Sequence, residues 1–177
     1  VAAAEPLLSE DVVRWRRVAL ERLLTQSAVS VDKIDTIISQ VMADFVHWRH
    51  QISMPPQSIA ILNQLAQRYP LVAITNGNVE PHRIGLSQFS LCLRGGEHGR
   101  AKPHFDLFAQ TMQHFQVQPH QILHIGDNLH TDVQGAIQAG CQAVWLNLNA
   151  EPIRRHAESR NLPTLELTDL QQLLFLA

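Results

Sequence analysis

Apolar residues recur at helical spacing through the first third of the chain and then give way to short continuous runs. Ser9 is placed to cap a helix reaching about Gln26, in which Val12, Trp15, Ala19 and Leu23 form an apolar stripe. Ser30 is placed to cap a second, where Ile34, Ile37, Ile38, Val41, Met42, Phe45 and Trp48 keep an i, i+3, i+4 rhythm. Pro55-Pro56 closes this block, and a third helix near Ser58 to Arg68 carries Ile59, Leu62 and Leu65. Beyond Pro70 the pattern changes. Leu71 to Ile74 is a continuous apolar run stopped by Thr75-Asn76-Gly77. Ile122 to Ile125 is another, stopped by Gly126-Asp127, and Ala143 to Leu146 is a third. Such runs between helical patterns read as buried parallel strands. The connecting helices cover Phe105 to Phe115, after Pro103, and about Thr131 to Ala139, with Gly140 as a stop. A weaker repeat of the theme places a strand at Thr164 to Leu167 and a helix at Asp169 to Leu176. The pattern predicts an α/β fold, an open and largely parallel sheet with a helical unit ahead of it.

Composition narrows the function classes. The 177 residues suffice for one large domain, or one domain with a small accessory unit. A 45% hydrophobic content allows a packed core, and a charged content of 17% argues against disorder. The net charge of −2 leaves no electrostatic footprint for nucleic acid. No apolar run approaches the ~18 residues of a membrane span. Cys92 and Cys141 sit in apolar runs and read as small buried hydrophobes in a reducing, cytoplasmic setting. The stretch Val1 to Pro6 has neither the basic start nor the long apolar run of a secretory signal. It also lacks an initiator methionine, which points to a processed, trimmed or partial sequence.

Ligands of parallel sheets gather beyond the carboxyl ends of strands. Thr75 and Asn76 end one strand, Lys102 lies in a glycine-containing loop ahead of a helix, and Asp127 ends a later strand with Asp132 one helical turn on. A hydroxyl with adjacent backbone amides can hold phosphate oxygens, and an ammonium neutralises charge on a transferring group. A carboxylate is the hard oxygen ligand that Mg²⁺ prefers. Each group alone reads more readily as a turn or as a solvated lysine than as part of a site. Their placement on one side of one sheet is what makes them a site.

Receiver domains of signalling systems also use these residue types, but with the acid first. The order Thr75, Lys102, Asp127 instead resembles the haloacid dehalogenase superfamily of phosphatases. Its second motif is matched by Leu71 to Thr75, its third by Lys102, and its fourth by Gly126-Asp127 followed by Asp132. The stretches LVAITNGN, RAKPHFDLF and ILHIGDNLHTDVQGAIQAG look like the YigB-like, flavin-pathway branch, and DVVRWRRVALERLL and DFVHWRHQI look like its cap helices. The resemblance implies a Rossmann-like parallel sheet with a helical cap, residues 1–54 being cap and 55–177 core. It implies hydrolysis of a small phosphorylated metabolite such as flavin mononucleotide or the phosphorylated ribitylamino-uracil precursor of riboflavin. In that scheme Asp127 binds Mg²⁺, and Thr75 and the Asn76 amide bind phosphate oxygens. Lys102 stabilises charge on the transferring group, and Asp132 orients Lys102 or a metal-bound water. The dehalogenating branch is a competing relative, but its fourth region needs no metal ligand, so Gly-Asp with a second Asp favours the phosphatases.

One expected motif is missing. The family's nucleophile and general acid/base sit in an Asp-x-Asp at the end of the first strand. This sequence contains none; the nearest approach, Asp32-Lys33-Ile34-Asp35, is wrongly spaced and lies in a helical pattern. The expectation is that the first strand, the nucleophile and part of the cap are absent. By resemblance that strand lies between those ending at Thr75 and Asp127. Unsatisfied buried amides cost about 1–3 kcal/mol each, against a total stability of about 5–15 kcal/mol. The 177 residues alone are therefore expected to be inactive and not independently stable. The expectation leaves three options: an upstream segment fills the gap, or another chain does, or the two flanking strands pair directly. The rival reading is non-catalytic: a fragment or pseudoenzyme that binds a phosphorylated ligand or a partner.

Weaker signals remain. His47 and His50 are three apart and His120 and His124 four apart, but neither pair has a third ligand at zinc spacing. Trp15 and Trp48 read first as core residues and second as lining of a substrate cleft. Arg14, Arg16 and Arg49 beside them could meet an acidic substrate, although a solvated helix face is the simpler reading.

Overall fold

The structure, a computed structural model, describes residues 10–27, 29–157 and 159–177. Ser9 lies outside them, and the cap of the first helix, α1 (Val12–Gln26), is Asp11. Its Oδ1 accepts hydrogen bonds from the Val13 and Arg14 amides at 2.9 and 3.2 Å. The second helix, α2 (Val31–Arg49), begins after Ser30 as expected. Val13, Leu20, Leu24 and Val29 close over Ile34, Ile38 and Met42 of α2. The apolar stripe expected on α1 is therefore the wrong one. Trp15 and Leu23 are 55% and 58% exposed, and Trp48 on α2 is more exposed still. Helix α1 has apolar residues on two rows, and only the row that meets α2 is covered. The third helix, α3 (Pro56–Ala66), likewise turns Ile61 and Leu65 inward in preference to Ile59 and Leu62.

Five short parallel strands follow: β1 (Leu71–Thr75), β2 (Phe89–Arg94), β3 (Leu123–Gly126), β4 (Gln142–Leu146) and β5 (Leu165–Leu167). Strand β2 was not anticipated, because Phe-Ser-Leu-Cys-Leu-Arg carries no β-branched residue. The strands form two sheets, β1-β2 and β3-β4-β5. Among the described residues β1 and β3 do not pair with each other, so the option of direct pairing across the gap is overturned. Each keeps an open parallel edge. One core cluster packs Phe108, Val133 and Trp145 together with Ile74 of β1. A second gathers Ile61, Leu65, Val144 and Leu173 with Leu71, Leu123 and Ile125. Side chains thus hold the two sheets together where ladder hydrogen bonds do not.

Helix α4 (Asp106–Phe115) lies where the periodicity put it. The single helix expected at Thr131 to Ala139 is instead a π-helical turn, Leu129–Gln134, running into α5 (Gly135–Gln138). Asn128 starts it, its Oδ1 accepting from the His130 and Thr131 amides at 3.0 and 2.8 Å. Gly140, at φ +79°, ends it. The expected C-terminal helix is a 3-10 helix, Leu170–Leu176. Both cysteines are unpaired, and Cys92 is only half-buried. No helix among the described residues is long and apolar enough to cross a membrane.

Candidate active site

The turn after β1 is organised by its own side chains. Thr75 Oγ1 accepts a hydrogen bond from the Gly77 amide at 2.9 Å, which bends the chain away from the sheet. Asn76 reaches across to the Lys102 loop. Its Oδ1 accepts from the Lys102 amide and its Nδ2 donates to the Lys102 carbonyl, both at 2.8 Å. The Asn76 side chain is therefore a brace for Lys102, and what it leaves to a ligand is its backbone amide.

That brace sets the lysine at the mouth of the gap. Lys102 Nζ donates to the Ile74 carbonyl at 2.7 Å and to Asp132 Oδ1 at 2.6 Å. The two side chains are 10% and 7% exposed. His124, in β3, places Nε2 3.2 Å from the same Asp132 oxygen, and the Asn128 amide donates to Asp132 Oδ2 at 3.0 Å. Burial alone would push the Asp132 carboxyl up. The His124 hydrogen bond and the Lys102 ammonium overcome that and hold it at about 2. Burial pushes the His124 imidazole down, aided by the Lys102 charge and opposed by Asp132, so a neutral ring donates from Nε2. The close fit depends on Gly126. A Cβ there would lie 2.3–2.5 Å from three atoms of Asp132.

Asp127 sits beyond the end of β3 with its carboxylate exposed, while its carbonyl accepts from the Trp145 indole at 2.9 Å. Among the described residues no three His, Cys, Asp or Glu side chains are arranged to hold a metal ion. Magnesium does not require such a cage; it retains waters and uses one or two carboxylates together with substrate phosphate. Asp127, exposed and uncommitted to the Lys102 network, fits that mode, whereas Asp132 is committed to three protein donors. Thr75, Asn76, Lys102 and Asp132 are thus joined by direct contacts or by one intervening residue, and Asp127 stands at the neighbouring strand end.

The sequence reading missed His124. It was weighed with His120 as a metal pair, yet its ring serves Asp132 and stacks edge-on against Phe108 at 5.2 Å. The signal was present: one polar side chain inside an otherwise apolar strand. His47 and His50 also go separate ways, His47 against Trp48 and His50 into a buried contact with the Glu80 amide. The helical unit touches the site region through Glu10 and His50 among others. Glu10 accepts from the Ala101 amide and lies 3.5 Å from His104, and His50 meets the loop after β1.

Comparison with known proteins identifies the family. The sequence profile of the haloacid dehalogenase-like hydrolases matches residues 3–146. The chain is 40% identical over 174 residues to the Escherichia coli 5-amino-6-(5-phospho-D-ribitylamino)uracil phosphatase YigB, covering 98% of this chain and 73% of that one. It is 30% identical to a Thermus thermophilus phosphoserine phosphatase, over 95% of this chain and 68% of that one. Among solved structures, a 2-haloacid dehalogenase from Pseudomonas syringae superposes with a TM-score of 0.88 at 28% identity, covering 98% of this chain and 74% of the other. By that profile match and that identity, the chain belongs to the haloacid dehalogenase-like hydrolases.

Proposed function

We propose that the protein is a Mg²⁺-dependent phosphatase that hydrolyses a small phosphomonoester through an aspartyl-phosphate. The observation that carries this reading is the buried Lys102–Asp132 pair, braced by Asn76 beside the Thr75 turn. An ammonium has three N–H groups, and two are taken by Ile74 and Asp132. The third is left for a phosphoryl oxygen. Thr75 Oγ1 accepts from Gly77, so its own proton is available to a second oxygen. The Asn76 backbone amide serves a third. Asp132 acts by keeping Lys102 aimed. Magnesium, held by Asp127, would supply further positive charge to the phosphoryl group.

The nucleophilic carboxylate is assigned to an extended segment seated between the open edges of β1 and β3. Thr75 and Asp127 end or follow those two strands, so a parallel strand between them would deliver its end to both groups. Residues 1–54 act as a cap over a core formed by residues 55–177, supported by the Glu10 and His50 contacts. Flavin mononucleotide and the phosphorylated ribitylamino-uracil precursor of riboflavin are the substrates of choice, on the strength of the Escherichia coli relative. Two unpaired thiols support a cytoplasmic setting. The test is Asp127→Asn in the complete protein. Mg²⁺-dependent turnover should fall by at least about a hundredfold with an unchanged circular dichroism spectrum. Retained activity would remove Asp127 from the mechanism. Phosphate binding without turnover in the unaltered protein would favour the non-catalytic reading.

A further inference from the structure

Arg49 is the last residue of α2, and its backbone is tied to the site. The next residue, His50, is buried. Its Nε2 accepts from the Glu80 amide at 3.0 Å, and its Nδ1 lies 2.6 Å from the Val46 carbonyl. With a donor at one ring nitrogen and an acceptor at the other, the ring is neutral and carries its proton on Nδ1. This clamp fastens the end of α2 to the loop that follows β1.

The clamp brings the guanidinium over the Thr75 turn. A Cβ added to Gly77 would sit 3.3 Å from Thr75 Oγ1 and 3.7 Å from Arg49 Nη2. Gly77 does not adopt a left-handed backbone, so its missing side chain provides room and nothing else. The notch it leaves has a hydroxyl on one wall and a guanidinium on the other. The adjoining Asn78 is 7% exposed, and its side-chain amide has no partner among the described residues. Arg49 forms no ion pair among the described residues. Glu80, in the same loop, is engaged by Arg83 and Arg94 instead.

We propose that Arg49 is a substrate-binding residue, a second cation that joins Lys102 in holding the phosphate of a dianionic monoester. The inference rests on the phosphatase reading and extends it, because Arg49 comes from the helical unit and not from the strand ends. A guanidinium presents paired donors that match a phosphate edge. Two cations around one phosphate favour a dianionic monoester over a singly charged diester.

The experiment compares the complete protein with Arg49→Met and Arg49→Lys. Inorganic phosphate is the probe, titrated against the Thr75 and Gly77 amide resonances, and flavin mononucleotide turnover is followed in parallel. In Arg49→Met the phosphate Kd and the KM should rise about tenfold while kcat changes by less than about threefold. Arg49→Lys should recover part of the loss. An unchanged phosphate Kd in Arg49→Met with normal turnover overturns the role of Arg49 and spares the phosphatase reading. Arg49-dependent phosphate binding in a protein that turns over no monoester does the reverse. Absence of phosphate binding in the unaltered protein overturns the role of Arg49.

Discussion

Lys102 and Asp132 are almost completely buried and bonded to each other and to their protein neighbours, whereas Asp127 and Arg49, a strand end and a helix end away, stand exposed with their charges uncommitted. The two regions serve the same site by opposite means. The buried pair is assembled in advance, so its geometry costs nothing to arrange when substrate arrives. The exposed groups leave their hydrogen-bonding capacity to the ligand. The contrast teaches where stability and where ligand affinity are stored, and substitutions can separate the two.

The largest effect is expected from Lys102→Met. It removes the counter-charge of a buried carboxylate, a change that costs about 3–5 kcal/mol in comparable settings. Urea unfolding measures it, and a loss below about 1 kcal/mol would show that Asp132 had found other partners or taken up a proton. The next effect is on pH. The Asp132 carboxyl, ordinarily at 3.8, is held at about 2 in the fold. A folded value below the unfolded one adds stability that is complete above 3.8 and lost as pH falls toward 2, amounting to about 2 kcal/mol. His124 acts earlier in the same direction. Its folded value lies below 6.5, so the unfolded chain takes the proton first and stability begins to decline as pH drops below 6.5. Unfolding midpoints across that range should therefore fall in two stages, and a flat profile down to about pH 4 would remove His124 from the account. The smallest effect belongs to the exposed groups. Arg49→Met and Asp127→Asn should each change stability by less than about 0.5 kcal/mol. A larger loss would mean that the open half of the site is also structural.

Much of this was legible in the sequence. Strands β1, β3, β4 and β5 were marked by apolar runs ended by turn residues, and Thr75, Lys102 and Asp127 were marked by standing after or between them. What escaped detection depended on partners. Strand β2 has weak intrinsic preference and exists because β1 offers it a ladder. Which row of α1 is covered was decided by α2. The tasks of Asn76, His124 and His50 are contacts between residues 26, 8 and 30 positions apart, which no local pattern encodes.

Lys102 also touches both sides of the divided sheet, with Ile74 of β1 on one bond and Asp132, just past β3, on the other. The group assigned to chemistry is thus a structural tie, and selection acting on either property preserves both. A descendant that ceased to turn over substrate would still lose stability by losing this lysine. Retention of Lys102 and Asp132 across a lineage is therefore a record of folding as much as of activity. The exposed Asp127 is the residue whose persistence or loss would tell the two histories apart.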